Sequence, residues 1–262
     1  MQIKAKKSLG QNFLIDKNVI EKIISIKKIN NSDILEIGPG TGNLTSAILE
    51  QKPSKLIVIE KDKKLSELLN EKFKEEIIIF NEDILKFNIQ DKLNGKFIVF
   101  GNLPYNISTE IICRWILNLN KIPWFTDLIL MFQKEVAERI IADKNTSKYG
   151  RLSIISKWRL NIKKILEVNP NCFFPKPKVE STVLHFSLKE SFYQLKNVKN
   201  LETVTRIFFN QRRKMIKNPL KQIFKNYTEI SKELNLDLNL RPQNLDPEVY
   251  YKIANLYNNL RG

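Results

Sequence analysis

Three clusters in this chain carry residue types that chemistry needs. The first is Glu36-Ile37-Gly38-Pro39-Gly40-Thr41-Gly42, which joins a strand-like run to a helix-like stretch. Glycines in such a turn let the backbone approach a ligand and supply positive φ without a Cβ clash. Gly38, Gly40 and Gly42 give GxGxG rather than the GxGxxG of dinucleotide binders. The second cluster is a pair of acids at the ends of the next two apolar runs, Glu60 and Asp83. An acid at the first place can accept from ribose hydroxyls, and one at the second from an adenine amino group. Glu60 directly follows its run and is preferred over Asp62. The two acids behind a glycine turn suit an adenosine-type ligand and leave NAD open.

The third cluster is Gly101-Asn102-Leu103-Pro104-Tyr105, at the carboxyl end of the fourth run, the edge where open α/β sheets bind ligands. Its Asn-Leu-Pro-Tyr tetrad resembles that of amino-group methyltransferases using S-adenosylmethionine. An exocyclic amine is a poor nucleophile because its lone pair is delocalised into the ring. Acceptors on its two N–H bonds, here expected to be the Asn102 side-chain oxygen and the Pro104 carbonyl, favour a pyramidal nitrogen and stabilise developing charge. Tyr105 offers a face on which an extruded base can stack. Transfer is then an in-line displacement helped mainly by positioning. No strong base is required, which suits a chain whose single histidine, His185, falls mid-strand and reads as structural.

These clusters need a sheet to hold them. Apolar runs at Ile34–Ile37, Leu56–Ile59, Ile77–Phe80, Phe97–Phe100 and Leu128–Met131 read as strands covered on both faces. Helix-like stretches such as Asn43–Glu50 and Lys63–Lys74 lie between them, predicting a parallel α/β sheet. Ile162–Val168 and Thr182–Leu188 read as two further strands, joined by a turn over Pro170–Pro177, adding an antiparallel edge. From about Phe192 the pattern is short amphipathic helices broken at Pro219, Pro242 and Pro247. Two domains are expected, residues 1–190 and residues 191–262, with a soft boundary.

Charge narrows the partner. The 262 residues carry a net charge of +16, distributed unevenly. Residues 1–95 hold 16 basic against 14 acidic side chains, while residues 96–187 and 188–262 each hold 14 against 7. A Lys-rich coding bias raises lysine everywhere but does not explain that uneven balance, so a polyanion, nucleic acid, is the expected partner. One histidine and two distant cysteines, Cys113 and Cys172, argue against triads, zinc sites and disulfide scaffolds. No metal is expected. No apolar run reaches the ~18 residues of a membrane span, and the charged start is no signal peptide. A cytoplasmic location is the expectation.

Across nearly its whole length the chain resembles the ribosomal RNA adenine N6-dimethyltransferases. The resemblance starts at Lys7-Ser8-Leu9-Gly10-Gln11-Asn12-Phe13-Leu14 and runs through the glycine turn, Glu60, Asp83 and Asn102–Thr109. It continues in Phe173-Phe174-Pro175-Lys176-Pro177-Lys178-Val179-Glu180-Ser181 and ends at Phe209-Asn210-Gln211-Arg212-Arg213-Lys214. It implies a Rossmann-like class I methyltransferase with a mostly parallel seven-stranded sheet and a small C-terminal helical domain. It also implies S-adenosyl-L-methionine contacts at Asn12, Leu14, Gly38, Gly40, Glu60, Asp83 and Asn102. Target-adenine contacts are implied at Asn102, Leu103, Pro104 and Tyr105, with Phe173 as a second stacking face and Phe174 in the core. RNA contacts fall on Lys6, Lys7, Arg212, Arg213 and Lys214. The implied reaction dimethylates two adjacent adenosines near the 3′ end of small-subunit rRNA, on the RNA or an immature small subunit, by a monomer. Lys176 stands where another Pro is common, and Glu180 where Asp is commoner.

Rival readings stay in view. Resistance-type relatives that methylate large-subunit RNA typically carry Asn-Ile-Pro-Tyr; Leu103 and Leu9-Gly10 favour the small-subunit branch. An assembly or transcription factor on the same fold is disfavoured by the intact tetrad, and an NAD-dependent oxidoreductase by the GxGxG spacing.

Overall fold

The computed structural model describes residues 5–6, 9–119 and 123–258, the side chain of residue 258 excepted. Among the described residues nine strands occur in chain order: β1 (Phe13–Leu14), β2 (Asp33–Ile37), β3 (Lys55–Ile59), β4 (Ile78–Phe80), β5 (Phe97–Asn102), β6 (Phe125–Gln133), β7 (Leu160–Val168), β8 (Phe173–Phe174) and β9 (Ser181–Leu188). Seven of them form one sheet in the order β4-β3-β2-β5-β6-β9-β7, and β1 pairs with β8 in a separate ribbon. Pairing from β4 through β6 is parallel, and β9 runs antiparallel to β6. The seven expected strands are all present, within three residues at their ends, the largest difference being β6, which starts at Phe125 rather than Leu128.

Parallel pairing requires crossovers long enough for helices. These are α2 (Asn43–Glu50), α3 (Lys63–Phe73), α4 (Ile89–Lys92) and α5 (Ser108–Leu117), while α1 (Lys17–Ile24) precedes β2, and α6 (Lys134–Ile141) and α7 (Arg151–Arg159) lie between β6 and β7. Two helices start on carboxylate caps: Asp16 accepts from the Val19 N–H at 3.0 Å, and Asp62 from the Lys64 N–H at 3.1 Å. The strands bury both faces as their composition demands, Ile34, Leu35, Val58, Val99 and Phe100 all being inaccessible. β2, β3 and β5 end level with one another, so Gly38, Glu60 and Asn102–Tyr105 emerge from one edge of the sheet.

The chain divides into two compact units, and the second draws in segments that precede the expected boundary at residue 190. One unit comprises Met1–Ile112, Asn118–Ala137 and Asn161–Leu188; the other gathers Cys113–Leu117 and Glu138–Leu160 with Lys189–Gly262. The second unit holds α8 (Val198–Asn210), α9 (Lys217–Ile223), α10 (Tyr227–Glu233) and α11 (Pro247–Asn258). Aromatic packing explains why residues 138–160 join it. Tyr149 stacks edge-on against Phe209 and donates to the Leu245 carbonyl at 2.9 Å, while the Tyr251 hydroxyl donates to the Ile154 carbonyl.

Candidate active site

The carboxyl edge of the sheet opens into a cleft of about 1300 Å³, solvent at its mouth included. Gly38, Gly40, Glu60, Asp83, Asn102, Leu103, Pro104 and Tyr105 line it, together with Asn12 and Leu14 from the N-terminal segment. Every cofactor position named from the sequence therefore borders one cavity.

The glycine turn is shaped by close approach. At Gly40 φ is +59°, and a Cβ would lie 2.7 Å from the Phe13 ring. Only glycine meets both conditions. At Gly38, with φ +66°, a Cβ would meet nothing nearer than the Asn102 carbonyl at 3.8 Å, so its open side belongs to the cavity.

The two acids behind the turn differ in what they have left to give. Glu60 accepts from the Gly40 N–H at 3.2 Å and from the Asp62 N–H at 2.8 Å, and thereby holds the turn against the end of β3. Burial raises its pKa, partly offset by those N–H donors. Asp62, the alternative acid, caps α3 and is met by the Lys6 ammonium at 2.8 Å and the Gln11 amide at 3.0 Å. Although burial alone would raise the Asp62 pKa, these donors hold it below the usual carboxylate range. Asp83 pairs with Lys61 at 2.8 Å and accepts from the Leu85 N–H. Burial is the largest single influence and raises its pKa, but the Lys61 hydrogen bond, the Leu85 N–H and the charges of Lys61 and Lys86 together bring it below the usual carboxylate range.

The tetrad is held from both sides. Asn102 donates through Nδ2 to the Asn12 carbonyl at 2.8 Å. A carbonyl can be met only by the NH₂ end of an amide, so the orientation is set. Oδ1 is then the remaining acceptor, without a partner among the described residues. The Tyr105 hydroxyl shares a 2.6 Å hydrogen bond with Ser181 Oγ, which pins the ring to the start of β9.

Several expectations need correction. The Pro104 carbonyl accepts from the Ile107 N–H at 3.1 Å and the Ser108 N–H at 3.0 Å, so it is occupied in opening α5. The preceding carbonyl, of Leu103, accepts nothing from the described residues. Phe173, expected as a stacking face, is 3 % exposed and packs in the core with Leu14 and Val183, whereas Phe174, expected in the core, is 62 % exposed. Strand alternation is the reason: Phe173 is opposite buried Leu14 and Phe174 opposite Phe13 across the β1–β8 ribbon. Lys6 is half exposed and ion-paired to Asp62. Arg212 donates to the Ser147 carbonyl at 2.6 Å and to Gln243, clamping a loop of its own unit, while Arg213 and Lys214 are exposed. Lys7 lies outside the described residues.

Glu36 and Lys61 also line the cavity and were not singled out from sequence. For Glu36 the signal was legible: an acid inside a strand covered on both faces. His185 is structural as expected, bonded through Nε2 to Asp127 at 2.7 Å. Among the described residues no cluster of three metal-ligating side chains exists, and no helix is long and apolar enough to cross a membrane.

Fold and site together define a class I methyltransferase with a Rossmann-like sheet. Comparison with known proteins narrows the class. The sequence model of the ribosomal RNA adenine dimethylase family matches residues 2–259, and the chain belongs to that family. It is thus an rRNA adenine dimethyltransferase whose methyl donor is S-adenosyl-L-methionine. It is 59 % identical over 262 residues, the full length of both chains, to ribosomal RNA small subunit methyltransferase A of Pelagibacter ubique. A dimethyladenosine transferase from Plasmodium falciparum superposes with a TM-score of 0.80 at 29 % identity, covering 94 % of this chain and 98 % of that one. A 23S rRNA methyltransferase, ErmE, shares the fold with a TM-score of 0.68 at 23 % identity, over 96 % of this chain and all of that one.

Proposed function

We propose that this enzyme dimethylates the N6 amino groups of two adjacent adenosines in a hairpin loop near the 3′ end of small-subunit (16S) rRNA, during assembly of that subunit. The observation that carries the reading is the set orientation of Asn102, which leaves one amide oxygen as an acceptor at the cavity beside Tyr105. The extended identity with a small-subunit methyltransferase supports the choice of RNA over the large-subunit alternative.

The residues present fit the cofactor. The open side of Gly38 admits a ligand where any side chain would fill the space. Glu60 offers a charged acceptor for ribose hydroxyls, and Asp83, at the end of the neighbouring strand, an acceptor for an adenine amino group. Asn12 and Leu14 complete the wall from the N-terminal segment. When bound, S-adenosylmethionine supplies an electrophilic methyl group on its sulfonium.

The chain's own residues then act on the amine. Asn102 Oδ1 accepts one N–H and the Leu103 carbonyl the other, in place of the Pro104 carbonyl first expected. These acceptors draw the lone pair out of conjugation and stabilise the positive charge that grows on nitrogen. Tyr105, its hydroxyl tied to Ser181, presents its ring to the extruded base. A monomethylated amine keeps one N–H, so one acceptor still orients it for the second transfer. The charge returns to neutral when the nitrogen loses its proton to solvent, and no side-chain base is needed.

RNA is held by phosphate contacts at exposed Arg213 and Lys214, which position it without reading its sequence. The proposal includes action as a monomer in the cytoplasm. The deciding experiment incubates the protein with labelled S-adenosylmethionine and small subunits lacking the modification, then maps the labelled bases. Label on two adjacent loop adenosines is expected; label confined to large-subunit RNA, or none, overturns the reading.

A further inference from the structure

The ribbon of β1 and β8 carries an exposed face that the mechanism does not use. Register places Phe13 opposite Phe174 and Leu14 opposite Phe173, and one step on the Ile15 N–H meets the Cys172 carbonyl at 2.9 Å. Alternation puts Leu14 and Phe173 on the buried face and Phe13, Ile15 and Phe174 on the other. Phe13 packs against Gly40 and lines the cavity, whereas Ile15 and Phe174 stand in solvent, as does Val179 further along the same loop. Among the described residues Phe174 is the only aromatic ring among the exposed large apolar side chains. Apolar side chains gathered on one surface, rather than scattered singly, mark a place of contact.

Both arms of the ribbon lead to the residues that meet the target base. On the β1 side the Asn12 carbonyl holds the Asn102 amide; on the β8 side the loop after Phe174 ends at Ser181, whose hydroxyl holds Tyr105. Pro175 and Pro177 restrict the backbone between, so the Phe174 ring stands on a stiff support. The charge beside it is positive: Lys176 and Lys178 follow Phe174, Lys17 follows Ile15, and all three are exposed. The neighbouring acids are engaged, Asp16 by the Val19 N–H and the Cys172 thiol, Glu180 by Lys134 at 2.7 Å. An aromatic ring among cations suits a single nucleic-acid strand, the ring meeting a base and the lysines its phosphates.

We propose that Phe174 is a stacking platform for the nucleotide next to the adenosine being methylated. The inference rests on the reading of two adjacent loop adenosines as substrate. Extruding one base strips its neighbour of a stacking partner, and the Phe174 ring replaces what is lost. Tyr105 meets the extruded base; Phe174 meets the one left behind. The platform selects a neighbour that is unpaired, whatever its hydrogen-bonding edge, because every base has a π face.

Methylation kinetics on small subunits lacking the modification give the first test. Phe174→Ala should raise the KM for the subunit about 5- to 100-fold, the range for one lost base stack, with kcat, cofactor Kd and Tm unchanged. Phe174→Trp should restore KM, and Phe174→Leu should not, since leucine is apolar but has no π face. A synthetic hairpin carrying the two loop adenosines then locates the base. Replacing the nucleotides beside the target adenosine by abasic residues, one at a time, should weaken wild-type binding at one of them and leave Phe174→Ala indifferent. An unchanged KM in Phe174→Ala overturns the inference. Equal rescue by Leu overturns it in favour of an apolar contact with a ribosomal protein, and a base dependence that persists in Phe174→Ala overturns it as well. These outcomes leave the substrate reading intact, whereas wild-type protein that does not label small subunits overturns both.

Discussion

Asn102 and Asn12 meet across 90 positions of sequence in one 2.8 Å hydrogen bond, from the Asn102 amide to the Asn12 carbonyl. It ties the N-terminal segment to the carboxyl end of β5 and, in the same contact, decides which end of the Asn102 amide remains for a substrate. The carbonyl oxygen of the side chain is the end an amine needs.

Asn102→Ala should therefore impair catalysis far more than folding. Losing one oriented partner for developing charge typically costs about 2.7–4 kcal/mol in the chemical step, a factor of ~10²–10³ in kcat. The lost contact to Asn12 should lower stability by only about 1 kcal/mol. Single-turnover methylation and thermal unfolding measure the two separately, and near-wild-type turnover by the folded variant would remove the proposed role.

Glu60 and Asp62, two residues apart, should fail in different assays. Glu60→Ala removes a charged acceptor and an anchor of the glycine turn, and should weaken S-adenosylmethionine by roughly 1.5–3 kcal/mol. Asp62→Ala removes the cap of α3 and the partner of Lys6 and Gln11; it should cost about 1 kcal/mol of stability. Titration calorimetry showing the larger affinity loss in Asp62→Ala would reverse the assignment.

The parallel sheet was legible because strands covered on both faces are written as apolar runs, and its ligand edge follows from where those runs end. Glu60 and Asp83 could be named for that reason. The β1–β8 ribbon was not legible: two-residue strands about 160 positions apart have no periodicity, and with them went the distinction between Phe173 and Phe174. Composition also does not say which hydrogen bonds a turn consumes, so the Pro104 carbonyl was named where its neighbour is the one left over. Residues 138–160 read as part of the first domain because the aromatic contacts that place them with the second join distant segments.

Phe173 and Phe174 give a test of that ribbon. Truncating Phe173 opens a cavity among Leu14, Val183 and their neighbours and should cost about 3–5 kcal/mol, visible as a large fall in Tm. Phe174→Ala should leave Tm nearly unchanged. Phe174 is exposed beside Lys176 and Lys178, on the ribbon face shared with cavity-lining Phe13, so its loss should raise the KM for RNA and leave cofactor Kd alone. Equal stability losses in the two variants would contradict the described alternation.

Stability should also respond to pH through Glu36. Its folded pKa, about 8, lies above the ordinary carboxylate value of 4.5, so the folded chain keeps a proton that the unfolded chain has lost between those two values. Stability therefore falls as pH rises through that window. Denaturant unfolding of the ligand-free protein at pH 6 and pH 8 should show the loss, and Glu36→Gln should reduce it.

Arg212, Arg213 and Lys214 adjoin one another in sequence but should separate in function. Arg212 is engaged by the Ser147 and Thr146 carbonyls and by Gln243, so Arg212→Ala should loosen the loop at residues 146–147 and cost about 1 kcal/mol of stability. Its effect on RNA affinity would follow only from that disorder. Arg213 and Lys214 are exposed and make no ion pair among the described residues. If both touch phosphates, replacing them together by Ala should shrink the log–log salt slope of RNA binding by about 2 units, since each phosphate contact releases nearly one counterion. The loss should be uniform across RNA sequences because phosphates are alike at every nucleotide. Cofactor affinity should not move, the cavity being lined by residues of the other compact unit. A salt slope that stays unaltered in the folded double variant would make this pair a solvated surface and send the search for RNA contacts to the lysines around Phe174.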